Sequence, residues 1–214
     1  MNPADYDAWY ATPRGRWIGD AEYALAARLL APQAGASLLD VGCGTGWFSR
    51  RAAADGLEVT GLDPNAAWLD YARAHSSPAL NWVQGDARAL PFADASFDHV
   101  LSIAALCFVD DERRAVAETV RVARRSFAIG WLNRSSLLYL HKGRGGGSGA
   151  YRGARWHTAD EVRALFAGLP VRELKLRSAI FLPSATRRAR WLELAMPAAL
   201  PWGGMLMLHG EKAC

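Results

Sequence analysis

Along the chain, short unbroken apolar runs alternate with longer stretches in which apolar residues recur every three or four positions. The first pattern suits strands buried on both faces, and the second suits helices lying on them. Ser37–Val41, 57–62, 80–84, Phe97–Ile103 and 127–132 read as strands. Between them, Trp47–Ala54 reads as a helix ending near Gly56, and 64–75 as a helix with Pro64 at its first position, where a missing N–H costs nothing. Residues 110–124 form a third helix, with acids at its start and bases at its end, as the helix dipole favours. Upstream, Asp20 is placed to cap a helix over 21–30 that carries Tyr23, Ala26, Ala27 and Leu30 on one face and is closed by Pro32 and Gly35. Residues 1–19, with Tyr6, Trp9, Tyr10, Pro13, Gly15 and Trp17, fit neither period and are expected as an ordered arm.

Beyond residue 132 the pattern predicts a short helix over 135–142, then the glycine run 143–149. That run neither follows a strand nor carries the Lys-Ser/Thr of a phosphate cradle, so it reads as a connector or mobile lid. Thr158 and Glu161 have capping-box spacing and open a helix to 167. A long strand over 171–182, a helix over 184–196 and a last strand over 204–209 complete the chain. Strands alternating with helices predict an α/β fold, a mostly parallel sheet with helices on both faces, because right-handed crossovers place helices on each side.

The 214 residues, 51% hydrophobic with nine tryptophans, fit one domain over 1–214 with a core of its own. Within it we distinguish an arm and helix (1–35), a central part (36–132) and a C-terminal part (133–214). The start, Met1-Asn2-Pro3-Ala4-Asp5, has neither the basic residues nor the apolar stretch of a secretory signal. The apolar runs 103–109 and 195–208 are too short for a bilayer, so no membrane insertion is expected. Cys43, Cys107 and Cys214 are an odd number without metal-ligand spacing, and the five histidines are scattered. A reduced, cytoplasmic, metal-free chain is expected. The net charge of +4 conceals a segregation. Residues 1–120 carry 9 basic against 16 acidic side chains, and residues 121–190 carry 15 against 3. Such a segment can face an anionic partner. Yet only three of the 25 basic residues are Lys, a bias toward Arg that accounts for the asymmetry without any binding role.

The densest chemical signal is Leu38-Leu39-Asp40-Val41-Gly42-Cys43-Gly44-Thr45-Gly46-Trp47, a strand running through glycines into a helix. Glycines allow a sharp turn and close approach of a ligand, and the helix start offers free N–H groups. In the register of the dinucleotide fingerprint GxGxxG the third glycine would fall at 47, which is Trp. The GxGxG spacing and the acid Asp40 both disfavour a pyrophosphate and suit a cationic ligand. Asp63 ends the second strand, where an acid accepts ribose hydroxyls. Asp86 and Ala87 follow the third strand, where a carboxylate and a backbone N–H can meet adenine. The competing reading is that Asp63 and Asp86 merely cap the helices that follow.

LLDVGCGTG, VTGLDPN and NWVQGDARALPFADASFDHVLS together resemble class I S-adenosylmethionine-dependent methyltransferases, in particular the type-11, ubiquinone/menaquinone-biosynthesis-like group, over about residues 36–132. The resemblance implies a Rossmann-like seven-stranded sheet whose last strand is antiparallel, an N-terminal helical arm, S-adenosylmethionine as cofactor and S-adenosylhomocysteine as product. It assigns Gly42, Cys43, Gly44 and Gly46 to the cofactor loop and Asp40 to the methionine end near the sulfonium. Asp63 with Pro64 falls to the ribose, Asp86 and Ala87 to adenine, and Ser102 to the floor beside the methionine. Tyr10, in the arm, is a looser candidate. Where the family often has Pro-Gly-Gly before its fifth strand, this chain has Arg124-Arg125-Ser126, so a rebuilt turn is expected there.

In-line displacement requires no catalytic side chain. His157 and Tyr151 are candidate general bases, and His99, inside a strand, reads as structural. Trp131, Asn133, Arg155 and Trp156 are candidates to line an acceptor pocket. Ser102-Ile103-Ala104-Ala105 lacks the [DNS]PPY motif of DNA aminomethylating enzymes, and Cys107 follows Leu106 in an apolar stretch, so it reads as a buried, inert thiol. No paired-Glu hairpin of protein-arginine enzymes is present. A small-molecule acceptor is therefore expected. The alternatives are an RNA-modifying or RNA-binding protein using 121–190, and a cofactor-binding module without catalysis.

Overall fold

A computed structural model describes residues 2–213, so Met1 and Cys214 lie outside the described residues. One sheet contains β1 (Ser37–Val41), β2 (Glu58–Asp63), β3 (Asn81–Gln84), β4 (Phe97–Ile103), β5 (Ala123–Leu132), β6 (Val171–Ala179) and β7 (Met205–Lys212), in the order β3-β2-β1-β4-β5-β7-β6. The first five are parallel, and β7 runs antiparallel to both β5 and β6. Strand order reverses between β1 and β4, where Leu38 of β1 pairs with Val59 of β2 on one side and His99 of β4 on the other. Open α/β sheets bind ligands beyond the carboxyl ends of their strands at such a reversal.

The helices are α1 (Pro3–Ala11), α2 (Pro13–Leu30), α3 (Trp47–Ala54), α4 (Ala66–Ala74), α5 (Glu112–Val122), α6 (Leu137–Lys142), α7 (Ala159–Ala164) and α8 (Arg187–Ala195). On one face of the sheet, Ile18, Leu25, Phe48 and Ala52 from α2 and α3 bury Leu38, Val59 and Leu101. On the other, Val116, Val120 and Val162 from α5 and α7 cover Leu39, Val100, Phe127 and Trp131. Leu38 and Leu39 feed opposite layers because successive strand side chains alternate.

The N-terminal arm is helical throughout, which corrects the patternless reading of residues 1–19 and the start of the second helix at 21. Asn2 accepts from the Asp5 amide and Thr12 from the Gly15 amide, each followed by Pro at the first helical position. Gly15 and Gly19 looked like breakers but serve close packing. A Cβ at Gly15 would lie 2.0 Å from the Trp9 carbonyl oxygen, and one at Gly19 2.7 Å from the Trp47 ring.

Further along, Asn65 rather than Pro64 starts α4, its side chain accepting from Ala67 N at 3.0 Å. No rebuilt turn precedes β5. Ala123 is at once the cap of α5 and the first strand residue, and Arg124 and Arg125 reach outward to Asp98 at 3.1 and 3.4 Å. The strand expected over 171–182 stops at Ala179, because the Glu193 carboxylate on α8 accepts the Ile180 and Phe181 amides at 2.7 and 2.9 Å. The capping box at Thr158 and Glu161 forms, and the glycine run folds into two short 3-10 turns, Arg144–Gly146 and Gly149–Tyr151.

Candidate active site

Past Val41 the chain turns through Gly42 at φ +75° and Gly46 at φ +80°, values that disfavour any side chain. At Gly42 there is no room either: a Cβ would stand 2.3 Å from the Ala105 Cβ. The Leu62 carbonyl accepts from both Gly42 and Cys43 amides, at 2.7 and 3.0 Å, and so pins the loop to β2. Asp63, last residue of β2, completes the clamp. Its Oδ2 accepts the Gly44 amide at 3.0 Å and its Oδ1 the Asn65 amide at 2.9 Å. Each oxygen keeps acceptor capacity, because a carboxylate offers about four lone-pair sites and two are taken. Burial raises the Asp63 carboxyl, against the pull of the two N–H groups. Gly46 then opens α3 with no side-chain cap, leaving the first-turn N–H groups to another partner.

The other residues expected here divide by depth. Asp40 is buried and accepts the Ser49 hydroxyl from α3 at 2.6 Å. Burial drives its carboxyl up to about 7 while Ser49 holds it down. It lies beneath the loop and joins β1 to α3. The Ser102 hydroxyl donates to the Val41 carbonyl at 2.8 Å in the fully buried sheet. Cys43 and Ala87 are buried, with the Cys43 thiol pushed up by burial, and the Pro64 carbonyl accepts from the Gln84 amide at 3.0 Å. Asp86 stands at the rim, half-exposed, its carboxylate held by Arg88 at 2.6 Å and so kept below the usual range. Tyr10 is buried, stacked on Trp47 at 4.4 Å, with its hydroxyl 3.3 Å from that of Tyr6.

Trp68 and Glu22 were absent from the sequence reading, and Tyr6 was named there only as part of the arm. Trp68 on α4 lies against Gly44, 3.3 Å from where a Cβ would be, and Tyr6 on α1 packs on Trp68 with centroids 5.0 Å apart. The arm thus lies across the outside of the loop. Glu22 on α2 has no hydrogen bond or ion pair among the described residues, and burial raises its carboxyl to about 8. Its charge adds to the burial that raises the Tyr6, Tyr10 and Tyr151 hydroxyls. The signal was present: Glu22 follows Ile18 by four and precedes Leu25 by three, both buried.

His157 is buried, not the surface residue its place before a helix suggested. Its Nε2 lies 2.7 Å from a Glu112 oxygen, and Arg155 faces the other oxygen of that carboxylate at 3.3 Å. The Tyr151 hydroxyl is pushed up by burial first and by the Glu22 charge second. His99 contacts Ser126 at 2.8 Å inside the sheet and is lowered by burial. Asn133 gives its amide to the Pro201 and Gly203 carbonyls, Trp131 is fully buried, and burial pushes the Cys107 thiol up. The first two therefore pack the core rather than line a pocket.

A sheet of this order with β7 reversed, a glycine turn after β1 and an acid ending β2 define the class I methyltransferase fold. Residues 39–126 match the family model described as a methyltransferase domain, and a solved structure described as an S-adenosylmethionine-dependent methyltransferase shares the fold. A solved Thermotoga maritima protein, described as an S-adenosylmethionine-dependent methyltransferase and possible histamine N-methyltransferase, superposes with a TM-score of 0.76 at 25% identity, covering 98% of this chain and 95% of that one. An uncharacterised Mycobacterium tuberculosis protein is 36% identical over 192 residues, 86% of this chain. The chain spans 64% of that relative's length. A malonyl-[acyl-carrier protein] O-methyltransferase of Serratia marcescens is 33% identical over 147 residues, 69% of this chain and 53% of the relative.

Proposed function

We propose that the chain transfers a methyl group from S-adenosylmethionine to a small-molecule acceptor. The observation that carries this reading is Asp63: a carboxylate with no cation, fixed to the Gly44 amide and retaining an acceptor site on each oxygen. That donor set, beside a turn in which a Cβ would collide, fits an adenosyl ligand. Asp63 would accept the two ribose hydroxyls, each such bond to an ionised acceptor contributing about 1.5–3 kcal/mol. Asp86 and the Ala87 amide would meet adenine at the rim, and Tyr6 and Tyr10 would close the arm over the ligand and exclude water. When bound, the cofactor supplies an electrophilic methyl on a sulfonium.

The remaining work is placement, which can contribute about 7–11 kcal/mol of a bimolecular barrier. Glu22, unpaired among the described residues and raised to about 8, would take a proton from the acceptor's nucleophilic atom once it ionises, as pH rises through 8. We prefer it to His157, which is committed to Glu112. Tyr151, packed on Trp156 with ring centroids 5.7 Å apart, is a candidate to orient the acceptor. The RNA reading loses its main support, because Arg121, Arg124, Arg134, Arg155, Arg163 and Arg172 of the basic segment all pair with acids. Incubation with methyl-labelled cofactor and a metabolite pool, followed by mass spectrometry, tests the proposal. A labelled small molecule is the expected result. Binding without transfer would leave the non-catalytic module, and label in RNA would replace the acceptor.

A further inference from the structure

One surface far from the glycine loop in sequence is built unlike the rest. On α8, Trp191 is 75% and Leu194 85% exposed, and Trp202, just before β7, is 56% exposed. Trp191 and Leu194 are three apart and share a face. Arg187, Arg188 and Arg190 flank them, exposed and without an acidic partner among the described residues. The helix's one acid, Glu193, is turned inward onto the Ile180 and Phe181 amides, so it neutralises none of them. The opposite side of α8 borders a groove of about 500 Å³ between α8 and α6, lined by Leu137, Leu140, Phe181, Leu192, Met196 and Trp202. The exposed positions of Leu137 and Leu140 extend the apolar area.

Isolated exposed apolar residues are ordinary, but a Trp and a Leu projecting between three unpaired arginines, beside an apolar groove, form a contiguous surface that calls for a partner. The partner's chemistry follows from the pair of features. Unpaired guanidiniums require anions in front of them, and the two most exposed side chains require an apolar layer just behind those anions. We propose that α8 and Trp202 dock on an anionic phospholipid membrane surface, with Arg187, Arg188 and Arg190 at the phosphates and Trp191 and Leu194 in the headgroup–acyl boundary. This is the arrangement of interfacial amphipathic helices, which lie on a bilayer rather than cross it. No helix among the described residues is long and apolar enough to cross one. The apolar groove beside the docked helix would admit part of an acyl chain.

Flotation of the full chain with phosphatidylcholine vesicles, with and without phosphatidylglycerol, tests the proposal. Binding is expected with the anionic vesicles and should weaken with salt. Replacing Arg187, Arg188 and Arg190 together by Ala should reduce it about a hundredfold. Brominated lipids should quench part of the tryptophan emission, and Trp191→Phe should reduce that part, leaving the share from Trp202. All these positions are exposed, so the variants should keep the parent's circular dichroism. Absence of binding to anionic vesicles, or binding unchanged in the triple variant, would overturn the proposal. So would a dimer seen by light scattering that Leu194→Asp dissociates while vesicles bind nothing, since the face would then be covered by a second copy.

Discussion

The surroundings of the glycine loop and the Arg-rich half of the chain treat charge in opposite ways. Between 121 and 190, where the sequence is most basic, most guanidiniums outside α8 find a carboxylate, often one supplied by the acidic half: Arg124 and Arg125 meet Asp98, and Arg155 meets Glu112. Around the glycine loop, Asp40, Asp63 and Glu22 have no cation. They are held by a hydroxyl, by amides, or by nothing, and burial raises all three. A net charge summed along the chain points to the wrong half, because pairing across the fold cancels it. Perturbed carboxyls in a cleft often belong to a functional site, and these three are the candidates here.

The contrast is broken most severely at Gly42. Gly42→Ala places a methyl on Ala105 in a left-handed backbone, which should cost on the order of 3 kcal/mol and lower Tm by about 10 °C, read by calorimetric melting. Asp63→Ala should weaken S-adenosylhomocysteine binding by about 2–4 kcal/mol, measured by titration calorimetry. Glu22→Gln sharpens the comparison through pH. A carboxyl raised to about 8 is protonated in the folded chain where the unfolded chain has already ionised, so the parent loses stability as pH climbs from its ordinary value toward 8. The Gln variant should escape that loss and melt several degrees higher at pH 9. The rise of methyl transfer through pH 8 should flatten in the same variant. Asp86→Ala, at a rim pair already engaged by Arg88, should cost about 1 kcal/mol of cofactor affinity. Arg163→Ala, in the exposed pair with Asp160, should change stability by less than about 0.5 kcal/mol.

Periodicity recovered the central strands because they are buried on both faces and so read as unbroken apolar runs. Ser37–Val41 and Phe97–Ile103 coincide with the expected limits. It failed where tertiary contact overrides a local rule. Gly15 and Gly19 sit inside a helix to admit Trp9 and Trp47, and the far end of the expected sixth strand is diverted to the Glu193 carboxylate. At the site, the loop and Asp63 were legible from spacing. The positions of Asp40 and Ser102 were not, since spacing cannot tell a carboxylate beside the loop from one beneath it. Glu22 escaped notice because a lone acid on a helix looks like a solvated one.

Titration of the unaltered chain with S-adenosylmethionine, and separately with NAD, by calorimetry at pH 7 tests most directly whether an uncompensated acidic rim selects its ligand. The account predicts saturable one-to-one binding of the sulfonium compound and no heat with the pyrophosphate. Absence of binding by the first, or comparable binding of the second, would contradict it.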